Sequence, residues 1–205
     1  MIATVRLSKP NTKIFAGLLA TIVLLAGCGQ TETARLYTLS RIADVEMMQA
    51  SDPQLSVAVG PVTLPSYLDR PQIVVRQSAN RLELSEFDRW AEPLGDTVPR
   101  ILAANLGNLL ATERVYALPQ SRRRSTDLSV AVDIGQFEPD AAGFASLVAR
   151  WEIFAADERR PLDEGKMVAQ RGAAPGDYEA MVASLSALLA ELSEELANRI
   201  AAIQN

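Results

Sequence analysis

The chain has 205 residues, 25 of them acidic and 20 basic, with no histidine and a single cysteine, Cys28. Its acidic balance argues against nucleic acid, whose phosphates call for a concentrated basic surface. Without histidine it lacks the commonest general base and metal ligand.

The N-terminus is organised as a secretion signal. Arg6, Lys9 and Lys13 precede residues 14–27, IFAGLLATIVLLAG, fourteen residues without a charge. A basic region followed by an apolar stretch of this length is the layout of a signal peptide. A spanning helix would need about 20 apolar residues. Leu25-Ala26-Gly27-Cys28 resembles a bacterial lipobox, in which small residues admit the peptidase and the cysteine thiol takes a diacylglycerol. Cleavage before Cys28 and lipid attachment to it are therefore expected. Two acyl signals anchor a protein stably where one binds only marginally. Gly29 follows the cysteine, and the absence of Asp there leans towards the outer membrane rather than the inner. Removing residues 1–27 leaves 178 residues with a net charge of −8 and no free thiol. That length suffices for one self-supporting core.

Residues 28–35 read as a polar, lipidated tether, and residues 36–205 as the folded domain. LYTLS at 36–40 is a candidate first strand. Residues 41–53 form a mixed stretch with loop and local helix. Leu55, Val57 and Val59 alternate in a strand stopped by Gly60-Pro61. Residues 66–71, SYLDRP, are turn-like around Asp69 and Pro71. Residues 72–77 and 81–87, either side of Ser78-Ala79-Asn80, form a hairpin. Asp96 is placed to cap a helix to about Thr112, with Val98, Ile101, Leu102, Asn105, Leu106, Leu109 and Leu110 in one stripe and Pro99 in the first turn.

A short strand follows at 115–118, and Arg122-Arg123-Arg124 reads as a solvated loop. In residues 127–137, Leu128, Val130, Val132 and Ile134 alternate with polar or small residues, which gives a strand with one buried face. Residues 145–155 return as its hairpin partner, with Trp151 and Ile153 inward and Arg150 and Glu152 outward. Residues 156–166 are polar and loop-like, and 166–170 suit an edge strand. Asp177 caps a long helix through Ile203, striped by Tyr178, Met181, Val182, Leu185, Leu188, Leu189, Leu192, Leu196, Ile200 and Ile203. The fold class expected is α+β, a single mixed and mostly antiparallel sheet with two amphipathic helices packed on it. The chain contains no GxSxG, P-loop or GxGxxG motif. The carboxylate pairs Asp157/Glu158 and Asp163/Glu164 lie in polar, turn-like segments. No catalytic residue, metal site or cofactor is expected.

Residues 57–94, VAVGPVTLPSYLDRPQIVVR…NRLELSEFDRWAEPL, resemble the auxiliary lipoprotein family of ABC-type transporters, the PqiC-like proteins. The lipobox and the last helix fit the same pattern. The resemblance implies a non-enzymatic, outer-membrane lipoprotein subunit of an MCE/ABC-type intermembrane lipid transport system that supports envelope integrity. The implied partners are an MCE-domain periplasmic protein (PqiB-like) and its inner-membrane components, with self-association left open. The competing reading is an outer-membrane assembly lipoprotein acting on a β-barrel or in lipopolysaccharide export. Within the motif, Tyr67, Arg70, Arg89 and Trp90 are the candidate partner-binding residues, because Tyr, Trp and Arg dominate interface hot spots. They also have structural readings: Asp69-Arg70-Pro71 as a turn held by Asp69, and Trp90 as cover for a sheet edge.

Overall fold

Period-two alternation sets the centre of the molecule. In a computed structural model of the chain, residues 32–42, 52–118, 126–156 and 158–204 are described. Cys28, the Arg122-Arg123-Arg124 run and most of the 41–53 stretch lie outside these residues. Strands β6 (Leu128–Pro139) and β7 (Phe144–Ala155) form the expected hairpin, with Val130 opposite Ile153 and Val132 opposite Trp151. All four side chains are buried, as the alternation predicts. Strand β8 (Asp163–Gly172) pairs antiparallel with β7 and starts three residues earlier than its sequence suggested.

Strand β2 (Val57–Thr63) lies parallel to both β5 (Val115–Ala117) and β6, completing a five-stranded sheet in the order β5-β2-β6-β7-β8. It does not stop at Gly60-Pro61. A register shift between Val59 and Val62 absorbs that pair and the ladder resumes to Thr63. Gly60 sits at φ 138°, and a Cβ there would come within 2.8 Å of Leu118 Cβ. Only glycine tolerates both conditions.

The expectation of one sheet is corrected. The hairpin of β3 (Gln72–Ser78) and β4 (Arg81–Trp90) belongs to a separate three-stranded sheet, order β1-β4-β3, in which β1 (Arg35–Tyr37) runs parallel to β4. The reason is topological. Both edges of β2 are taken, by β5 and β6, so the hairpin that follows it cannot pair with β2 and closes a sheet of its own with β1. Among the described residues an isolated bridge joins the two sheets at Arg76 and Asp140, where the Ala141 N–H donates to Arg76 O at 3.0 Å.

Helices α1 (Leu94–Leu109) and α2 (Tyr178–Gln204) pack against each other and on the larger sheet. Helix α1 begins two residues before Asp96. The carbonyl of Pro93 accepts from the N–H groups of Asp96 and Thr97 at 3.1 and 3.0 Å, and Asp96 sits in the first turn, where the helix dipole favours a carboxylate. Pro99 consequently falls in the second turn, not the first, and forfeits one helical hydrogen bond. In α2, Asp177 caps as expected, its Oδ1 accepting from Ala180 N–H at 2.9 Å. The stripe from Met181 to Ile200 is buried. Asn105, in the α1 stripe, is fully buried and donates to Ser193 Oγ of α2 at 3.2 Å. Its Oδ1 accepts the Ile42 N–H at 3.0 Å, and Ser186 Oγ accepts the Ser40 N–H at 3.0 Å. The segment leaving β1 is thus pinned to both helices.

Candidate functional site

Two stretches of the motif, the SYLDRP turn and the DRWAEP segment, are neighbours in space. Ser66–Leu68 form one 3-10 turn, closed by Leu68 N–H to Pro65 O at 2.9 Å and Asp69 N–H to Ser66 O at 3.2 Å. The chain then enters β3, and the Trp90 N–H donates to Pro71 O at 2.7 Å. This bond sets Arg70-Pro71 beside Arg89-Trp90. The expected Asp69 side-chain bond is not what holds the turn: that carboxylate is exposed and bonds to none of the described residues.

The four candidate side chains divide. Arg89 is half-exposed, and its Nε and Nη2 reach only the Glu86 carbonyl, each at 3.4 Å. At that length the bonds are weak, so most of its five donors remain available. Arg70 is half-buried and its Nε is a buried donor without a partner. An unmatched buried donor costs about 1–3 kcal/mol. Leu36, which the sequence did not single out, lies opposite Arg89 in the parallel β1–β4 register and is 67% exposed. A strand whose outward side chain is apolar carries no periodic signal of exposure.

Tyr67 faces the other way. Its hydroxyl donates to Glu138 Oε2 at 2.9 Å, while Arg76 Nε donates to Glu138 Oε1 at 2.6 Å and its guanidinium lies 6.0 Å from the Tyr67 ring centre. Glu138 is only 1% exposed and its Oε2 also accepts the Phe137 N–H at 3.0 Å. Burial, followed by the adjacent carboxylate, pushes the Tyr67 phenol up to about 12. The hydroxyl is engaged within the fold, which removes it as an interface donor. Trp90 is likewise a core residue, 7% exposed, and its burial takes the indole out of any surface contact. It lies on β4, the central strand of the smaller sheet, so it packs in the core rather than covering a sheet edge.

Asp88, one residue before Arg89, anchors the first strand. It accepts from Arg35 Nε at 2.7 Å, Tyr37 Oη at 2.9 Å and Ser85 Oγ at 2.7 Å. Burial alone would raise its pKa. The hydrogen bonds from Arg35, Ser85 and Tyr37 outweigh that and hold the carboxyl below the ordinary aspartate value. Tyr37 is raised by burial and then by the same carboxylate. Sequence reading missed this cluster because its members come from segments 53 residues apart.

The sequence matches the family model for the ABC-type transport auxiliary lipoprotein component over residues 37–197. The chain belongs to that family. Membership makes it a transport auxiliary component rather than a member of a known enzyme family, and associates it with the cell envelope. No curated protein matches the sequence significantly. Among solved structures it is similar to an uncharacterised protein, with TM-score 0.67 and 22% identity over 82% of this chain and 99% of that one. It is also similar to a Xanthomonas campestris protein of the DUF330 family, with TM-score 0.67 and 19% identity over 83% and 98% of the respective chains. These likenesses show a shared fold. Among the described residues no group of three or more Asp, Glu, Cys or His side chains is placed to hold a metal ion, and no helix is long and apolar enough to cross a membrane.

Proposed function

We propose that this auxiliary lipoprotein is cut before Cys28, lipidated there, held at the periplasmic face of the outer membrane, and docks an MCE-domain protein of an ABC-type lipid transport system. Arg70 and Arg89 are the residues that make the contact. The observation that carries this reading is the Trp90–Pro71 backbone bond, which sets the two guanidinium-bearing positions side by side. One has an unmatched buried donor and the other only weak internal bonds. A guanidinium presents five donors in a fixed fork and grips carboxylate or carbonyl edges in a way lysine cannot. Leu36 adds an exposed apolar contact on the Arg89 face.

The tether supports the same arrangement. Six residues lie between Cys28 and β1, and the seven Cα-to-Cα steps across them span at most about 25 Å when extended, so the domain would stay close to the lipid surface. Affinity purification of the lipidated chain from gently solubilised membranes tests the proposal. The expected co-purifying proteins are an MCE-domain protein and its permease. Recovery of β-barrel assembly or lipopolysaccharide-export components in their place would favour the competing reading.

A further inference from the structure

The outward face of β7 and β8 carries a charge arrangement that sheet energetics disfavour. Their antiparallel register sets Arg150 opposite Lys166 and, two residues along, Glu152 opposite Glu164. Like charges directly opposite each other destabilise a sheet. Here two such pairs, of opposite sign, lie side by side. All four side chains are exposed, and none forms an ion pair among the described residues. Exposed ion pairs do form nearby, Arg171 with Glu191 and Arg199 with Asp163, so this molecule pairs such charges where nothing prevents it.

The neighbouring strand leaves the cations free as well. Asp133 of β6 is opposite Arg150, yet its Oδ1 accepts the Thr63 hydroxyl at 2.5 Å and forms no ion pair with the guanidinium. The two charge rows border a depression of about 650 Å³, bounded on the far side by Pro61, Thr63 and Asp133. That volume falls in the usual range for small-ligand sites, about 300–1,000 Å³. Its floor is rigid: on the opposite face of the sheet Trp151 packs over Gly165, so closely that a Cβ on Gly165 would lie 2.4 Å from the indole.

We infer that this face binds a zwitterion, an anionic phosphate-type group on Arg150 and Lys166 and an ammonium group on Glu152 and Glu164. The rows are about 7 Å apart along the strands, and long flexible side chains converge readily on a compact molecule carrying both charges. The ligand answers both unfavourable pairs at once, which neither a simple anion nor a simple cation does. The chemistry is that of phosphoethanolamine, whether free or as a lipid headgroup. This site lies on the larger sheet and is independent of the docking reading.

The test uses the full lipidated chain in a nonionic detergent, with calorimetric titration and thermal melting. Phosphoethanolamine should bind saturably, and inorganic phosphate or ethanolamine alone at least about tenfold more weakly. Exchanging the β8 charges, Glu164→Lys together with Lys166→Glu, places opposite charges across both pairs. That variant should melt above wild type without ligand and lose at least about tenfold in affinity. Arg150→Gln serves as a second variant with the same expected loss. A short-chain phosphatidylethanolamine, used below its micellar concentration, separates the sources: tighter binding than phosphoethanolamine assigns a lipid, equal binding a free small molecule. No saturable binding of either zwitterion, or undiminished binding by both variants, overturns the site.

Discussion

The Tyr67 hydroxyl donates to Glu138 across 71 residues of chain, and with Arg76 on the same carboxylate this bond fastens the small sheet to the end of β6. A buried carboxylate is tolerated when its partners surround it, and losing it strands them. Glu138→Ala should therefore destabilise the domain by about 3 kcal/mol or more. Tyr67→Phe, which removes one hydroxyl, should cost about 1–2 kcal/mol. Urea unfolding checks both, and Tyr67→Phe should leave partner capture unchanged.

Stability should fall at both ends of the pH scale, for opposite reasons. The Tyr67 phenol titrates at about 12 in the folded chain against 10.0 unfolded. Its contribution is full below the unfolded value and lost as pH rises through that window, because the unfolded chain releases the proton first. Asp88 is depressed below 3.8. Its contribution is present above that value and lost as pH falls through the lower, folded one. Equilibrium unfolding against pH should show both losses, the alkaline one reduced in Tyr67→Phe and the acid one in Asp88→Asn.

Gly165 is held to glycine by its neighbour. A Cβ would sit 2.4 Å from Trp151 Cζ2, and Trp151 is itself fixed by donation from Nε1 to Glu195 at 3.2 Å. Gly165→Ala should lower stability by about 1–3 kcal/mol, the usual cost of overpacking. Denaturant melts measure it, and the tryptophan emission should shift as the indole is displaced.

Elements with a clean period were legible from the sequence. The β6–β7 hairpin, the inward Trp151 and Ile153 and the α2 stripe all read directly from alternation or three- and four-residue spacing. The split into two sheets was not, because strand strings do not say which edges are occupied. Arg70 and Arg89 were legible as motif residues, whereas the fates of Tyr67 and Trp90 were hidden. Whether an amphipathic ring faces a buried carboxylate or solvent depends on contacts such as Glu138, far away in the chain. The Asp88 cluster shows the same blindness, since its ligands gather only when β1 docks on β4.

The anchor makes a separate prediction. Cys28→Ala should abolish incorporation of a clickable fatty acid and leave unprocessed precursor in the inner membrane. Labelling at the wild-type level would refute lipidation at this cysteine.

The docking account is tested most directly by pairing thermal melting with pull-down of the MCE-domain protein for Arg89→Ala, Arg70→Ala and Leu188→Asp. Truncating a central interface residue costs about 2 kcal/mol or more in binding, while exposed changes move stability by about ±0.5 kcal/mol. Leu188 is fully buried in the α2 stripe, so an aspartate there should unfold the domain. Arg89→Ala, and to a lesser degree Arg70→Ala, should reduce capture at least about tenfold at nearly unchanged melting temperature. Arginine variants that melt far below wild type, or that capture the partner as well as wild type does, would contradict the account.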